Sequence, residues 1–281
     1  MPESPCEFCG CPVPLSSSCC PHCGRPSLFP NVRAAAEEAE RTALAGRYRS
    51  AVEGAVARGC GDVVRDLETA ARASKAVIAR SLAEAERLAS SDNQLYSTYY
   101  KLIEAEVRLP SGDRWDRLRR LADAALFPLN EHQIRFAALS LDDHGPSGYG
   151  ECYLVLREDM IAYRASVFEE NSAIYLAKRG YDVPPGSRAI WEERTLLCVA
   201  KLAPQLRTDT RPAQFPALLL RQRSGSEDER IVEVHIWGSM TRRTFEQVVI
   251  ASRSTSRRPS KARLKALRDR LDQVKVPLKV I

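Results

Sequence analysis

The chain has 281 residues, of which 44% are hydrophobic and 28% charged, and a formal net charge of +6. This length allows one large or two ordinary domains, and the composition is typical of a folded, soluble protein rather than a disordered one. No apolar run approaches the roughly 18–20 residues of a membrane helix, and the N-terminus lacks the pattern of a signal peptide. We therefore expect a cytoplasmic protein with no membrane partner.

The first 30 residues predict a zinc ribbon. Six of the nine cysteines lie within the first 23 residues, where "CEFCG" and "CCPHCG" each place a glycine after a Cys-x-x-Cys pair. Such a turn directs two thiolates at one ion, and four thiolates complete the tetrahedron that zinc prefers. Cys11, Cys19 and His22 are competing ligands. The repeated spacing favours a structural zinc bound by four residues, namely Cys6, Cys9, Cys20 and Cys23.

Residues 31–130 predict a helical region. Ala, Glu and Arg are frequent, and apolar positions recur at helical spacing. Gly59 and Gly61 separate the first two helices, a third runs to Pro110, and a fourth ends near Pro128. Four or five Ala-rich helices are therefore expected to pack as a bundle or as hairpins, in a structural or docking role.

Residues 131–252 predict an α+β domain. Short runs such as "IRFAALSLD", "ECYLVLRE" and "FEQVVIASR" are β-branched, apolar or aromatic, and Gly, Pro, Asp and Ser separate them. One helix, "RAIWEERTLLCVAKLAPQL", interrupts them. We expect five to seven strands in a mostly antiparallel, split sheet, so that the fold class of the whole chain is α+β with a zinc ribbon and a helical middle.

Residues 253–281 predict a basic helical tail. They carry ten Lys/Arg and two Asp, a net charge of +8, so that residues 1–252 sum to 6 − 8 = −2. The positive charge of the protein therefore belongs to its tail. Such a segment can contact phosphate groups, or it can be a solvated helix.

The stretch "IVEVHIWGSM" places an acid within an apolar strand. Val232, Val234 and Ile236 alternate with Glu233, His235 and Trp237, so Glu233 and His235 share one face of the strand. Glu233 either lies on a solvated face or stabilises positive charge in a reaction.

Several pieces of the second half together resemble the ADP-ribosyltransferase superfamily, toxin-like enzymes that use NAD. The resemblance covers about residues 133–250. It rests on Tyr149-Gly150, on Arg164 in "AYRAS", on Ser172 in "EENS" and on Glu233 in "VEVHIWG". The Ser-Thr-Ser tripeptide and the paired-acid motif of the best-known toxins are absent, which leaves the target of modification unspecified.

The resemblance implies a role for each matching residue. Glu233 would stabilise the oxocarbenium-like cation that forms when the nicotinamide–ribose bond breaks. Arg164, or Arg157 in its place, would clamp the NAD pyrophosphate. The remaining candidates would contact ribose, nicotinamide or the acid itself, and they are Ser172, Asn171, Tyr163, Tyr175 and His235.

The target and partners follow from the same resemblance. An intracellular toxin or defence enzyme of this kind would modify RNA, DNA or protein, or only hydrolyse NAD, and a neutralising antitoxin is an implied partner.

Two other hypotheses stand beside the ADP-ribosyltransferase resemblance. "LDDHG", residues 141–145, could bind a hard metal with Glu151 or Glu233, as in a nuclease. Alternatively, ribbon, helices and tail could form a non-enzymatic nucleic-acid-binding or partner-docking protein.

Overall fold

A short hairpin begins the fold, with strands β1 (Glu3–Pro5) and β2 (Pro12–Pro14) paired antiparallel. The structure, a computed structural model, describes residues 3–6, 8–14, 17, 19–25, 27–97, 100, 114–222, 229–251 and 260–281. Cys6 and Cys20 are buried beside Val13 of this hairpin, in a small cluster of their own. The ribbon therefore has almost no apolar core, and it depends on whatever binds its cysteines.

One eight-stranded sheet forms the centre of the molecule. Its strands in chain order are β3 (Lys75–Arg80), β4 (Ile134–Ser140), β5 (Cys152–Leu156), β6 (Ala165–Phe168), β7 (Arg188–Ile190), β10 (Glu233–Trp237), β11 (Phe245–Ile250) and β12 (Leu278–Val280). The order across the sheet is β12-β11-β5-β3-β4-β10-β6-β7, and only β11 and β12 pair in parallel. The mostly antiparallel sheet is thus confirmed, as one continuous sheet rather than two halves. β8 (Arg221–Gln222) and β9 (Glu229–Arg230) form a separate pair.

Helices cover both faces of the sheet, because its strands bury side chains on both sides. The described residues form ten helices, which are α1 (Pro30–Ala35), α2 (Glu38–Ala57), α3 (Gly61–Arg72), α4 (Leu82–Ala89), α5 (Arg114–Leu126), α6 (Glu158–Ile161), α7 (Ser172–Ala177), α8 (Arg194–Leu202), α9 (Phe215–Leu219) and α10 (Lys261–Asp272). The larger core lies under α2, α3 and α8. A smaller core on the opposite face joins α5 and α7 to Phe168 of β6.

The predicted helical middle contains a strand. β3 lies between β4 and β5 in the sheet, with Val77 opposite both Ala138 and Val155. Its four inner residues are all buried, so "KAVIAR" shows no alternation of apolar and polar residues, and helical segments flank it on both sides. The predicted helical middle and the predicted α+β domain therefore share one sheet.

Other predicted elements have mixed outcomes. The apolar run "PALLLRQRS" also predicts a strand, but residues 216–219 lie in helix α9, and Arg221–Gln222 form the short strand β8. The predicted helix starting at residue 188 begins as strand β7 before α8. Most of the predicted third helix, at residues 98, 99 and 101–113, and residues 252–259 of the tail lie outside the described residues. Across the ranges that the structure covers, no helix has the length and apolarity to cross a membrane.

Candidate functional site

The four predicted zinc ligands meet at one point. The Sγ atoms of Cys6, Cys9, Cys20 and Cys23 all lie within 4.8 Å of one another. Two pairs across the cluster are separated by 3.8 Å (Cys6–Cys23) and 3.6 Å (Cys9–Cys20). Four sulfurs at about 2.3 Å from a zinc ion would be about 3.8 Å apart in a tetrahedron. The residues therefore fit a closed structural site that can bind a metal such as zinc.

Backbone N–H groups lower the pKa of two of these thiols. The backbone N–H groups of Phe8 and Cys9 donate to Cys6 and hold the pKa of that thiol below its usual value, although burial opposes them. The N–H of Cys23 does the same for Cys20 and lowers its pKa to about 6. Both turns owe this geometry to the glycine that follows, because Gly10 and Gly24 adopt φ values of 71° and 69°. Thiolate, the form that binds zinc, is therefore favoured at one cysteine of each knuckle, Cys6 and Cys20. At Cys9 the backbone N–H of Cys11 also lowers the pKa, but burial and the three neighbouring thiols outweigh it and raise the pKa to about 12.

Metal content separates these ligands from the other cysteines. We expect the purified chain to retain about one zinc ion, and Cys20→Ser to lose it, because three thiolates bind zinc far more weakly than four. Cys11→Ser is the matched control, since Cys11 is not part of the four-sulfur cluster. Elemental analysis after gel filtration gives the ratio. Zinc loss in the Cys11 variant, or retention in the Cys20 variant, would contradict this ligand set.

Glu233 is buried in the sheet rather than solvated. It begins β10, only 3% of its surface is exposed, and its Oε2 atom has two hydrogen-bond partners. The backbone N–H of Ser172, at the start of α7, donates at 3.0 Å, and His235 Nε2 lies 3.0 Å away. The alternation predicted for this strand therefore places His235 beside the acid. Ser172 contacts it too, through its backbone rather than its hydroxyl group.

A cation from α5 completes the environment of this acid. Burial alone would raise the pKa of Glu233, but the hydrogen bond and charge of His235, the charge of Arg119 and the Ser172 N–H outweigh burial and lower it. Burial acts to lower the pKa of Arg119, and the charges of Glu233 and Asp123 outweigh that effect and raise it. Glu233 is therefore an ionised carboxylate in a buried position, and its charge interacts with that of the Arg119 guanidinium.

Asp123 is a second carboxylate with the opposite behaviour. It is 1% exposed, Tyr100 donates to its Oδ2 at 2.9 Å, and Oδ1 has no hydrogen-bond partner among the described residues. Burial raises its pKa to about 7; Arg119 and Tyr100 oppose this shift, and the charge of Glu233 adds to it. Two carboxylates whose pKa values are pushed apart around one cation form a typical acid–base arrangement.

Aromatic rings enclose the Glu233–His235 pair. The imidazole of His235 lies 4.9 Å from the ring of Phe127, 5.3 Å from Phe136 and 5.8 Å from Phe168, between ring centres. The guanidinium of Arg119 lies over Phe136, 5.0 Å from its centre. Phe136 and Arg119 are only half-buried, so they mark the side of the site that meets solvent. Charges inside such an apolar wall interact more strongly than in water.

A tight turn brings a second arginine and a tyrosine to this region. A Cβ atom at Gly150, where φ is 136°, would lie 2.2 Å from the carbonyl carbon of Arg80, so only glycine fits there. This close approach holds Tyr149 at the end of β3. Burial lowers the pKa of Arg80 to about 10. The charges of Glu84 and Tyr149 oppose this shift, and the charge of Arg119 adds to it. Arg80 and Arg119 thus place two positive charges near Tyr149.

The structure does not bring Arg164 to Glu233. Its guanidinium donates to the carbonyl oxygens of Met160 at 2.9 Å, Trp237 at 2.6 Å and Ser239 at 3.0 Å. Trp237 ends the strand that Glu233 begins, and four strand residues span about 13 Å. The predicted pairing of these two residues is therefore corrected. Arg164 binds backbone at the far end of β10, and Arg119 is the arginine whose charge acts on the acid.

The other predicted contacts are placed as follows. Arg157 is exposed and pairs with Asp159 at 2.7 Å. The ring of Tyr163 is 59% exposed, the hydroxyl of Tyr175 donates to Glu169, and the side chain of Asn171 caps α7. Of the predicted site residues, the structure assembles Glu233, His235 and the Ser172 backbone, and it surrounds these three with other groups.

The sequence carried one signal for the residues that were missed. Arg119 and Asp123 occupy the same helical stripe as Ala122 and Leu126, which are buried, at spacings of three and four residues. Charged residues on a buried stripe are costly unless they are paired or used. A purely structural helix would not carry two charged residues on this stripe.

"LDDHG" forms a polar corner instead of an evident metal site. His144 Nδ1 lies 3.0 Å from Asp142, and Gln247 donates to Asp143 at 2.7 Å. Glu151 accepts the N–H of Leu82. In the portions of the chain that the structure covers, the four cysteines are the one group of three or more metal-binding side chains gathered in space.

The sequence matches no model of a known protein family, and no curated protein is significantly similar to it. The function must therefore be argued from the site itself.

Proposed function

We propose that this protein breaks the nicotinamide–ribose bond of NAD and transfers ADP-ribose to a macromolecule. One observation carries the proposal: Glu233 is an ionised, almost fully buried carboxylate that two hydrogen bonds hold in place. An enzyme that generates a ribosyl cation needs such an anion, fixed before the reaction, because a preorganised charge stabilises the transition state without reorganisation.

The residues around Glu233 can account for the charge and the proton that the reaction produces. The C–N bond breaks with its electron pair going to nicotinamide, which leaves as a neutral molecule and requires no proton. Glu233 stabilises the ribosyl cation, and His235 with the Ser172 N–H holds Glu233 in place. A nucleophile of the acceptor then forms the new bond to ribose and loses a proton. Asp123, whose pKa is about 7, is the group suited to accept that proton.

Phosphate binding falls to Arg119 and Arg80 in this proposal, in place of Arg164 and Arg157. A guanidinium presents planar donors that match phosphate oxygens, and two of them near Tyr149 suit a diphosphate. Arg80 donates through Nη1 to the Ala79 carbonyl at 2.6 Å, so its other donors would take the phosphate. Tyr149 is 46% exposed, and its hydroxyl interacts electrostatically with both arginines. Arg164 is occupied by carbonyl groups and supports the end of β10 instead.

A nucleic acid is the acceptor that the surface favours. Exposed basic side chains lie on α10 and on the segment after it, at Lys261, Lys265, Arg268, Lys275 and Lys279. Such a surface attracts phosphate backbones. The proposed role is that of a toxin or defence effector, with a neutralising protein as the expected partner.

The test is incubation of the full chain with NAD labelled on the adenine, together with cell lysate. Bound label that nuclease releases and protease does not supports transfer to nucleic acid. Bound label that protease releases and nuclease does not indicates a protein acceptor. Release of free nicotinamide without bound label reduces the proposal to NAD hydrolysis. If NAD remains intact with lysate and added divalent cations, the enzymatic proposal fails, and the non-enzymatic docking role replaces it.

A further inference from the structure

Helix α1 ties the ribbon to the body of the protein through Arg33. This side chain is buried, with 6% of its surface exposed, and it donates to three ribbon oxygens. The distances are 2.8 Å to the carbonyl of Pro14, 3.0 Å to that of Ser17 and 2.7 Å to the hydroxyl of Ser27. Because these acceptors lie between and just after the metal knuckles, Arg33 has its partners only while the ribbon is folded.

Asn31, half a helical turn earlier, ties the same helix to the site. It is 2% exposed, and its Nδ2 lies 3.0 Å from the carbonyl oxygen of His235, 3.2 Å from that of Arg164 and 3.3 Å from the Ser166 hydroxyl. Ser166 pairs with His235 across β6 and β10. One amide group thus holds the two strands at the residue that hydrogen-bonds Glu233.

An aromatic contact supports this arrangement. Phe29, which precedes α1, packs against Tyr163 at 6.0 Å and Trp237 at 5.9 Å between ring centres. Trp237 ends the strand that Glu233 begins. The α1 connection therefore meets β10 both at its middle, through Asn31, and at its end, through Phe29.

We propose that Asn31 is a positioning residue for the Glu233–His235 pair and that metal binding in the ribbon keeps it in place. The chain of contacts runs from the four sulfurs to the ribbon carbonyls, then to Arg33, along α1 to Asn31, and from there to His235. The catalytic consequence rests on the proposed function, whereas the structural coupling does not.

The first experiment measures structure in the full chain. Four histidines are present, so the imidazole signals can be followed by NMR and that of His235 assigned by its loss in His235→Gln. Removing zinc from the wild-type chain with a chelator is expected to shift the His235 signal and to speed amide exchange in residues 231–240, and added zinc should restore both. If chelation changes only the ribbon's own signals, the coupling does not exist.

The second experiment isolates Asn31. Asn31→Leu keeps the size and removes the donor, so we expect zinc to stay bound, the His235 signal to shift, and kcat for nicotinamide release to fall about 10- to 100-fold with KM little changed. Glu38→Gln, on an exposed position nearby, is the control and should alter none of these. An unmoved His235 signal in the Leu variant overturns the inference. A shifted signal in a chain that never consumes NAD leaves the coupling intact and rejects the proposed function alone.

Discussion

Glu233→Gln is expected to reduce nicotinamide release by about 100- to 1000-fold, the range that loss of one preorganised electrostatic contact costs. The amide keeps the size of the acid, and its oxygen can still accept the Ser172 N–H. What disappears is the negative charge that would face the ribosyl cation in the proposed reaction. Release is measured by chromatography of nicotinamide at saturating NAD, and circular dichroism verifies the fold.

A matched variant separates this effect from a general loss of negative charge. Glu246 lies on β11, is exposed and pairs with Lys75 at 2.8 Å. Glu246→Gln should retain full activity. Wild-type turnover in the Glu233→Gln variant would remove this residue from the reaction and with it the reason to assign NAD chemistry to this site.

Asp123→Asn is expected to change how stability depends on pH. In the folded protein its pKa is about 7, well above the ordinary value of 3.8. Between these two values the folded chain holds a proton that the unfolded chain has released, so the wild type loses stability as pH rises from about 4 to 7. The asparagine variant lacks this titration. Between pH 4 and pH 8, the free energy of unfolding of the variant should therefore fall by up to about 4 kcal/mol less than that of the wild type.

Urea unfolding at pH 4, 6 and 8 measures this difference. Asp269→Asn changes an exposed carboxylate of α10, and its curve should run parallel to the wild type. If the free energy of unfolding of Asp123→Asn and of the wild type changes equally with pH, the pKa of Asp123 is not raised by folding. Asp123 is then not the proton acceptor.

The sequence was sufficient where the signal is local. Each zinc knuckle lies within five consecutive residues, so its spacing alone predicts which sulfurs converge. The alternation around Glu233 likewise needs only one strand, and His235 lies on the predicted side. Both inferences depend on backbone geometry over a few residues, which the neighbouring chain hardly alters.

The central strand β3 shows where local reasoning ends. Six residues between two helices, apolar on both faces, give no period that separates strand from helix. Their conformation depends on pairing with β4 and β5, which follow more than fifty residues later. The tertiary structure also decided which arginine acts on Glu233. The charge of Arg119 on α5 reaches the acid, while the side chain of Arg164 donates to carbonyl groups at the strand's far end. The amino-acid sequence by itself determined the two cysteine pairs of the cluster and the acid–histidine pair, since each pair is encoded within a few residues. Only long-range packing assembled Arg119, Asp123 and Tyr100 around that pair, because contacts between distant segments have no signature in the spacing of either one.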